Sequence, residues 1–216
     1  MNTSHAISPR AVLWDFGGVI LSSPFEAFNR YEHERGLPTD FLRTVNATDP
    51  HANAWARLER SDITPTEFDE AFAADATALG HRVSGAEVLA LLAGDVRPEM
   101  VLALDRVKAA GYRTACLTNN ISGEHASAER SETISAIMAR FDAVIESSKV
   151  GVRKPEPRFY EIACETLGVE PSQCVFLDDL GINLKPAAAM GMHTIKVLSA
   201  DQAIDDLEQA LAIPLR

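Results

Sequence analysis

Two short apolar runs, far apart in the chain, end in acid. Ala11-Val12-Leu13-Trp14 leads straight into Asp15, and Cys174-Val175-Phe176-Leu177 leads into Asp178-Asp179. Runs this short suit buried strands of a parallel sheet better than helices. Taken singly, either Asp reads as a loop or helix cap. Taken together, two strand ends put three carboxylates at the carboxyl edge of one sheet, where open α/β folds bind their ligands. Carboxylates gathered in that way repel, so the cluster calls for a cation, and hard oxygen donors favour Mg²⁺.

The rest of the chain supplies the sheet. Beyond Arg97-Pro98 the pattern alternates helix and strand: a helix from Pro98 to Ala110, strands at Arg113 to Thr118, Ala143 to Ser147, Cys174 to Leu177 and His193 to Val197, with helices between and a last helix from Ala200 to Leu211. Single helices between strands indicate parallel pairing through right-handed crossovers. From Phe25 to about Leu92 the pattern is helical throughout, with Phe68, Phe72 and Leu79 recurring on one face. Thr64-Pro65-Thr66-Glu67 and Ser84-Gly85-Ala86-Glu87 both read as capping boxes. The expected fold is α/β: a Rossmann-like parallel sheet with a helical cap inserted after the first strand. Residues 1–22 and 94–216 form the core and residues 23–93 the cap.

A formal net charge of −11 argues against nucleic acid or an anionic membrane as partner. An anionic substrate then has to be attracted locally. No apolar run approaches the ~20 residues that a bilayer span needs. Met1 to Arg10 lacks the apolar stretch of a secretory signal and is expected to be a loose tail. Cys116, Cys164 and Cys174 form no close-spaced pair, so buried reduced thiols and a cytoplasmic address are the expectation. The six His residues show no metal-ligand spacing, with His51 and His125 the two that a loop could bring to the site.

Four segments converge on the acidic edge. They are Trp14-Asp15-Phe16-Gly17-Gly18-Val19, Cys116-Leu117-Thr118-Asn119-Asn120, Arg153-Lys154-Pro155-Glu156-Pro157, and Phe176-Leu177-Asp178-Asp179-Leu180-Gly181-Ile182-Asn183. Read alone, Lys154 is a solvated residue at a helix start, Thr118 a strand end, and Asn183 an N-cap. In this order they resemble the four motifs of the haloacid dehalogenase-like superfamily, most of whose members are Mg²⁺-dependent phosphatases. The part from Cys116 onward is most similar to the phosphatase domain of bifunctional soluble epoxide hydrolases. The resemblance implies that Asp15 is a nucleophile forming an aspartyl-phosphate. It implies that Mg²⁺ is held by Asp15, the Gly17 carbonyl and Asp179, with Asp178 and Asn183 in support. Thr118, the Asn119 backbone N–H and Lys154 would then bind the phosphoryl group of a small phosphorylated substrate.

One position departs from that pattern. Most phosphatases of the superfamily carry a second Asp two residues after the nucleophile, as acid and then base. Here it is Gly17. General acid–base assistance is typically worth ~10²–10⁴-fold. The expectation is therefore a phosphatase whose leaving group needs little protonation, such as a sugar 1-phosphate or an acyl phosphate. The alternatives are a low-turnover protein that binds a phosphorylated ligand, or a 2-haloacid dehalogenase, which needs no leaving-group acid. Phe25, Phe28 and Trp55 in the insert are candidate substrate selectors, and amphipathic packing explains them equally well.

Overall fold

Alternation along five strands divides the core in two. The computed structural model describes residues 9–92, 94–120 and 128–216. The expected tail, apart from Pro9 and Arg10, lies outside them, as does His125. The described residues form β1 (Ala11–Trp14), β2 (Arg113–Thr118), β3 (Ala143–Glu146), β4 (Cys174–Asp178) and β5 (His193–Lys196), in the spatial order β3-β2-β1-β4-β5. Every pair is parallel. Val12 and Trp14 turn to one face, where α6 (Pro98–Ala109), α7 (Ala128–Met138) and α11 (Ala200–Leu211) cover them with Met100, Leu104, Ile137, Ile204 and Leu207. Ala11 and Leu13 turn to the other, under α9 (Pro157–Leu167) and α10 (Gly181–Ala189), which contribute Phe159, Tyr160, Ala163, Leu167 and Leu184. Both faces being covered is why these strands read as unbroken apolar runs.

Chain order reverses between β1 and β4, and this switch point carries the acidic residues. Trp14 stands in register with Leu177, so Asp15 emerges beside Asp178. The Asp15 N–H still donates to the Leu177 carbonyl at 2.9 Å, carrying the ladder one step past the strand.

Between β1 and β2 lie α1 (Phe25–Arg35), α2 (Phe41–Ala47), α3 (Ala54–Glu59), α4 (Pro65–Ala78) and α5 (Gly85–Ala90). They share a separate apolar cluster that includes Phe28, Leu42, Trp55, Leu58, Phe68, Phe72 and Val88. The chain leaves and returns along two paired connectors. Leu21 bridges Val96 antiparallel, and Ser22 N–H donates to the Asp95 carbonyl at 2.8 Å. Gly94 lies so close to the outgoing connector that a Cβ there would come within 2.5 Å of the Ser22 carbonyl.

Local differences from the sequence expectations have physical causes. Thr64 opens α4 with a complete capping box. Ser84 caps α5 through the Glu87 N–H, but the Glu87 carboxylate turns instead to Tyr31 and Arg35 of α1, so only half a box forms. Leu79 caps α4 in the open and is exposed, while Phe68 and Phe72 are buried. Trp55 and Phe28 are core residues of the insert. Trp55 packs against Phe68 and Phe72 at 4.9 and 6.3 Å between ring centroids, and Phe28 lies edge-on to Phe25 at 6.0 Å. The three cysteines are buried and free. No helix among the described residues is long and apolar enough to cross a membrane.

Candidate active site

Asp15 ends β1, and the tight turn that follows decides what surrounds it. Its Oδ1 accepts from the Phe16 N–H at 2.6 Å and pairs with Lys154 Nζ at 2.7 Å. Among the described residues none donates to Oδ2. Gly17 is extended (φ −69°, ψ 134°), and a Cβ there would meet nothing within 4 Å. Gly18 is different. Its φ is +77°, and a Cβ would sit 2.2 Å from Asp179 Oδ2. Glycine is demanded at 18 by both conformation and space, whereas 17 would admit a side chain.

Asp178 and Asp179 are adjacent in sequence but differently employed. Asp178 is fully buried, and donors fill its carboxylate. Leu180 N–H reaches Oδ1 at 2.8 Å, Asn183 Nδ2 spans both oxygens at 3.1 Å, and Lys154 Nζ reaches Oδ2 at 2.8 Å. Asp179 accepts from Ser23 Oγ at 3.1 Å. Oxygens of Asp15, Asp178 and Asp179 lie within 4.8 Å of one another. Asn183 does not cap the helix as expected from its position. That helix begins two residues earlier, at Gly181, with Leu180 as its cap. Asn183 is therefore free to grip Asp178, and its carbonyl accepts from the Tyr160 hydroxyl at 2.7 Å.

Lys154 is 1% exposed, a buried ammonium held between Asp15 and Asp178. Burial alone would lower its pKa, but Asp15 and Asp178 outweigh it and raise it. Burial pushes Asp15 well above the usual carboxylate range. Lys154 opposes that rise, and the charges of Asp178 and Asp179 add to it. Burial, reinforced by Asp178, moves Asp179 up to about 6. Lys154 pairs with Asp15 and Asp178, and among the described residues no ion pair reaches Asp179. The donor set, all hard oxygen, fits a divalent ion such as Mg²⁺.

Thr118 closes β2 and is buried at the same edge. The side chain of the next residue has a use that its motif did not reveal. Asn119 Oδ1 accepts from the Lys154 N–H at 2.9 Å while its Nδ2 donates to the Lys154 carbonyl at 3.0 Å, clasping the lysine backbone from both sides. The helix expected to open at Pro155 begins at Pro157, because Glu156 N–H first turns back to the Arg153 carbonyl at 2.8 Å.

Two residues outside every motif also belong to the site. Arg97 donates from Nη1 to the Gly18 carbonyl at 2.7 Å, and its N–H bonds the Ile20 carbonyl at 2.9 Å, so the returning connector holds the turn after Asp15. Glu59, the last residue of α3, accepts from Asn119 Nδ2 at 3.0 Å and pairs with Arg153. Neither carries a local sequence signal, because each is defined by a partner over 50 residues away. His51 is exposed, and its carbonyl accepts from Arg60 at 2.8 Å.

Comparison with known proteins supplies the family and the fold. A family profile described as haloacid dehalogenase-like hydrolase matches residues 9–191. The chain is 34% identical over 213 residues (96% of this chain) to acyl-CoA dehydrogenase family member 10 of Mus musculus, and 33% identical over 215 residues (93%) to bifunctional epoxide hydrolase 2 of the same organism. It spans only 20% and 38% of those two relatives' lengths. In fold it is similar to a HAD family enzyme of Bacteroides thetaiotaomicron in complex with magnesium and inorganic phosphate (TM-score 0.57, 20% identity, 87% of this chain and 93% of that one). It is also similar to L-2-haloacid dehalogenase from Xanthobacter autotrophicus with chloropropionic acid covalently bound (TM-score 0.57, 20% identity, 96% and 89%).

Proposed function

Because the chain belongs to the haloacid dehalogenase-like hydrolases, we propose that it is a Mg²⁺-dependent phosphatase acting on a small phosphorylated molecule through an aspartyl-phosphate on Asp15. The observation that carries this reading is the cluster itself: three carboxylates within 4.8 Å around a single buried lysine. Asp15, Asp179 and the Gly17 carbonyl would hold the ion, with Asp178 and Asn183 in support. When bound, it offsets charge on the phosphoryl oxygens and quiets the repulsion among the carboxylates.

The residues then divide the work. Asp15 Oδ2 forms a bond to phosphorus as the bond to the leaving oxygen breaks, and the leaving group departs with its electron pair. Lys154 balances charge on Asp15 and on the phosphoryl group as a fixed point charge. The Thr118 hydroxyl and the Asn119 N–H bond the phosphoryl oxygens. Water attacks phosphorus in the second step, the bond to Asp15 breaks, and phosphate and the free carboxylate result. Gly17 offers no acid, so the first step favours leaving groups that are stable as anions, such as those of acyl phosphates or sugar 1-phosphates. Residues 23–93 serve as a cap over the core of residues 1–22 and 94–216. Their separate apolar cluster and paired connectors support that division.

A 2-haloacid dehalogenase would also manage without an acid at position 17, but a reaction without a metal leaves the charge of Asp179 unanswered. A low-turnover binding protein would keep the same pocket. Phosphate release from acetyl phosphate, p-nitrophenyl phosphate and glycerol 3-phosphate, with Mg²⁺ and with EDTA, separates these readings. The expected result is Mg²⁺-dependent release that is lost in Asp15→Asn. Equal release by the two proteins removes the phosphatase reading, and halide release from a 2-haloacid in EDTA replaces it. Gly17→Asp, for which the turn has room, should raise hydrolysis of glycerol 3-phosphate by about 10²–10⁴-fold, and that of acetyl phosphate far less. Tight ligand binding by a wild type that scarcely turns over assigns the protein to binding instead.

A further inference from the structure

Among the contacts by which the inserted helices reach the motif residues, one is a largely enclosed carboxylate. Glu59 ends α3, its side chain is 14% exposed, and a carboxylate so enclosed is costly unless paired. Its two partners flank the proposed machinery in sequence. Asn119 follows Thr118, and Arg153 precedes Lys154. Asn119 is also the residue that clasps the Lys154 backbone, so one nitrogen, Nδ2, is shared between the Lys154 carbonyl and Glu59. Neighbouring bonds run along the same seam. Ser61 Oγ donates to the Ser148 carbonyl at 3.3 Å, Arg60 Nη1 pairs with Glu156 at 3.4 Å, and Arg153 Nη1 donates to the Pro50 carbonyl at 3.0 Å. The end of α3 is thus seated on the loop that carries Lys154. Exposed pairs such as Arg158–Glu165, with side chains 51% and 61% exposed, hold little. The Glu59–Arg153 pair, at 14% on each side, is of another kind.

We propose that Glu59 is a positioning residue that the insert contributes to the active site, acting through Asn119 and Arg153 to hold Lys154 and Thr118 in place. The proposal rests on the phosphatase reading and deepens it. Its physical content is that the insert does more than cover the site. Arg153, paired with Glu59, holds the residue before Lys154 against the end of α3. Asn119, fixed from the insert side, keeps its grip on the lysine backbone.

The test compares wild type, Glu59→Ala, Glu59→Gln and Glu59→Ala/Arg153→Ala by phosphate release from p-nitrophenyl phosphate with Mg²⁺, alongside hydrogen exchange of the 148–156 segment and thermal unfolding. Glu59→Ala should lower kcat by about 10²-fold, the scale of a misplacement of roughly 1 Å, with KM little changed because Glu59 touches no substrate. Glu59→Gln retains an acceptor for Asn119 and should recover part of the loss. The double variant should lose no more than Glu59→Ala alone. Exchange at the Lys154 amide, which Asn119 Oδ1 protects, should quicken in Glu59→Ala and less so in Glu59→Gln. An unchanged kcat with unchanged exchange overturns the proposal. So does a rise in KM alone, which would make Glu59 a substrate contact, and so does a fall in kcat matched by the fraction unfolded. If wild type releases no phosphate while exchange still responds, the phosphatase reading fails and the positioning role stands.

Discussion

The sheet edge and the inserted helices solve opposite problems. At the edge, charge is buried at high cost. Lys154, Asp178 and Asp15 are almost wholly enclosed, and the Lys154–Asp15 pair joins residues 139 apart in sequence. In the insert, nearly everything buried is hydrocarbon. Trp55, Phe68 and Phe72 pack ring against ring, and among the described residues its buried polar side chains are Glu32, which accepts from Asp40 N–H and Leu42 N–H, and the helix cap Asn53, with the partly buried Glu59 at the seam. A region that buries hydrocarbon gains stability from its packing, whereas one that buries unbalanced charge gives stability up for a task. Among the described residues, the edge is where carboxylates gather closely enough to hold a metal ion.

Three experiments sharpen that contrast, taken from the largest effect to the smallest. Lys154→Met removes the cation between two buried carboxylates. It should cost about 3–5 kcal/mol in urea unfolding without divalent ions, with part of the loss returned by Mg²⁺. A loss that Mg²⁺ leaves untouched would mean that the carboxylates do not bind it. Phe72→Ala strikes the insert instead. It should cost about 3–4 kcal/mol through a cavity, with no recovery in Mg²⁺. Recovery there would show that the two regions are not energetically distinct.

The smallest effect is one of pH. Asp179 is raised from 3.8 to about 6 in the fold, so between those values the folded chain binds more protons than the unfolded one. Its contribution to stability is then present at acid pH and falls as pH rises through about 6. Wild type should lose roughly 1–3 kcal/mol relative to Asp179→Asn across that window without metal. Saturating Mg²⁺ should flatten the difference, because the ion holds the carboxylate charged. Thermal unfolding at pH 4.5 and 6.5 with and without Mg²⁺ reads it. A wild type that instead gains stability over this range relative to Asp179→Asn contradicts the picture of a repelling cluster.

Legibility follows the same division. The strand ends at Asp15 and Asp178-Asp179 could be read because each is a local event, an apolar run broken by acid, and the parallel sheet brings such ends to one edge. The helical character of the insert was equally local, from the phenylalanine spacing and the Thr64 capping box. The long-range choices were not. Leu79 shares a helical period with Phe68 and Phe72 yet lies past the end of packing, and Glu87 left its capping role for Tyr31 and Arg35. Asn183 looked like a cap because its helix could not be bounded from sequence to within a turn.

By itself the sequence determined the α/β order, the acidic edge, the glycine that replaces the usual acid at 17, and the family these features resemble. All of these are matters of residue type along a short stretch. Only the tertiary structure decided that Gly18 must make room for Asp179, that Asn119 clasps the backbone of Lys154, and that Arg97 and Glu59 belong to the site. The reason is physical: a hydrogen bond or a steric contact between distant residues leaves no periodicity in either segment, and it exists only once packing has fixed both partners.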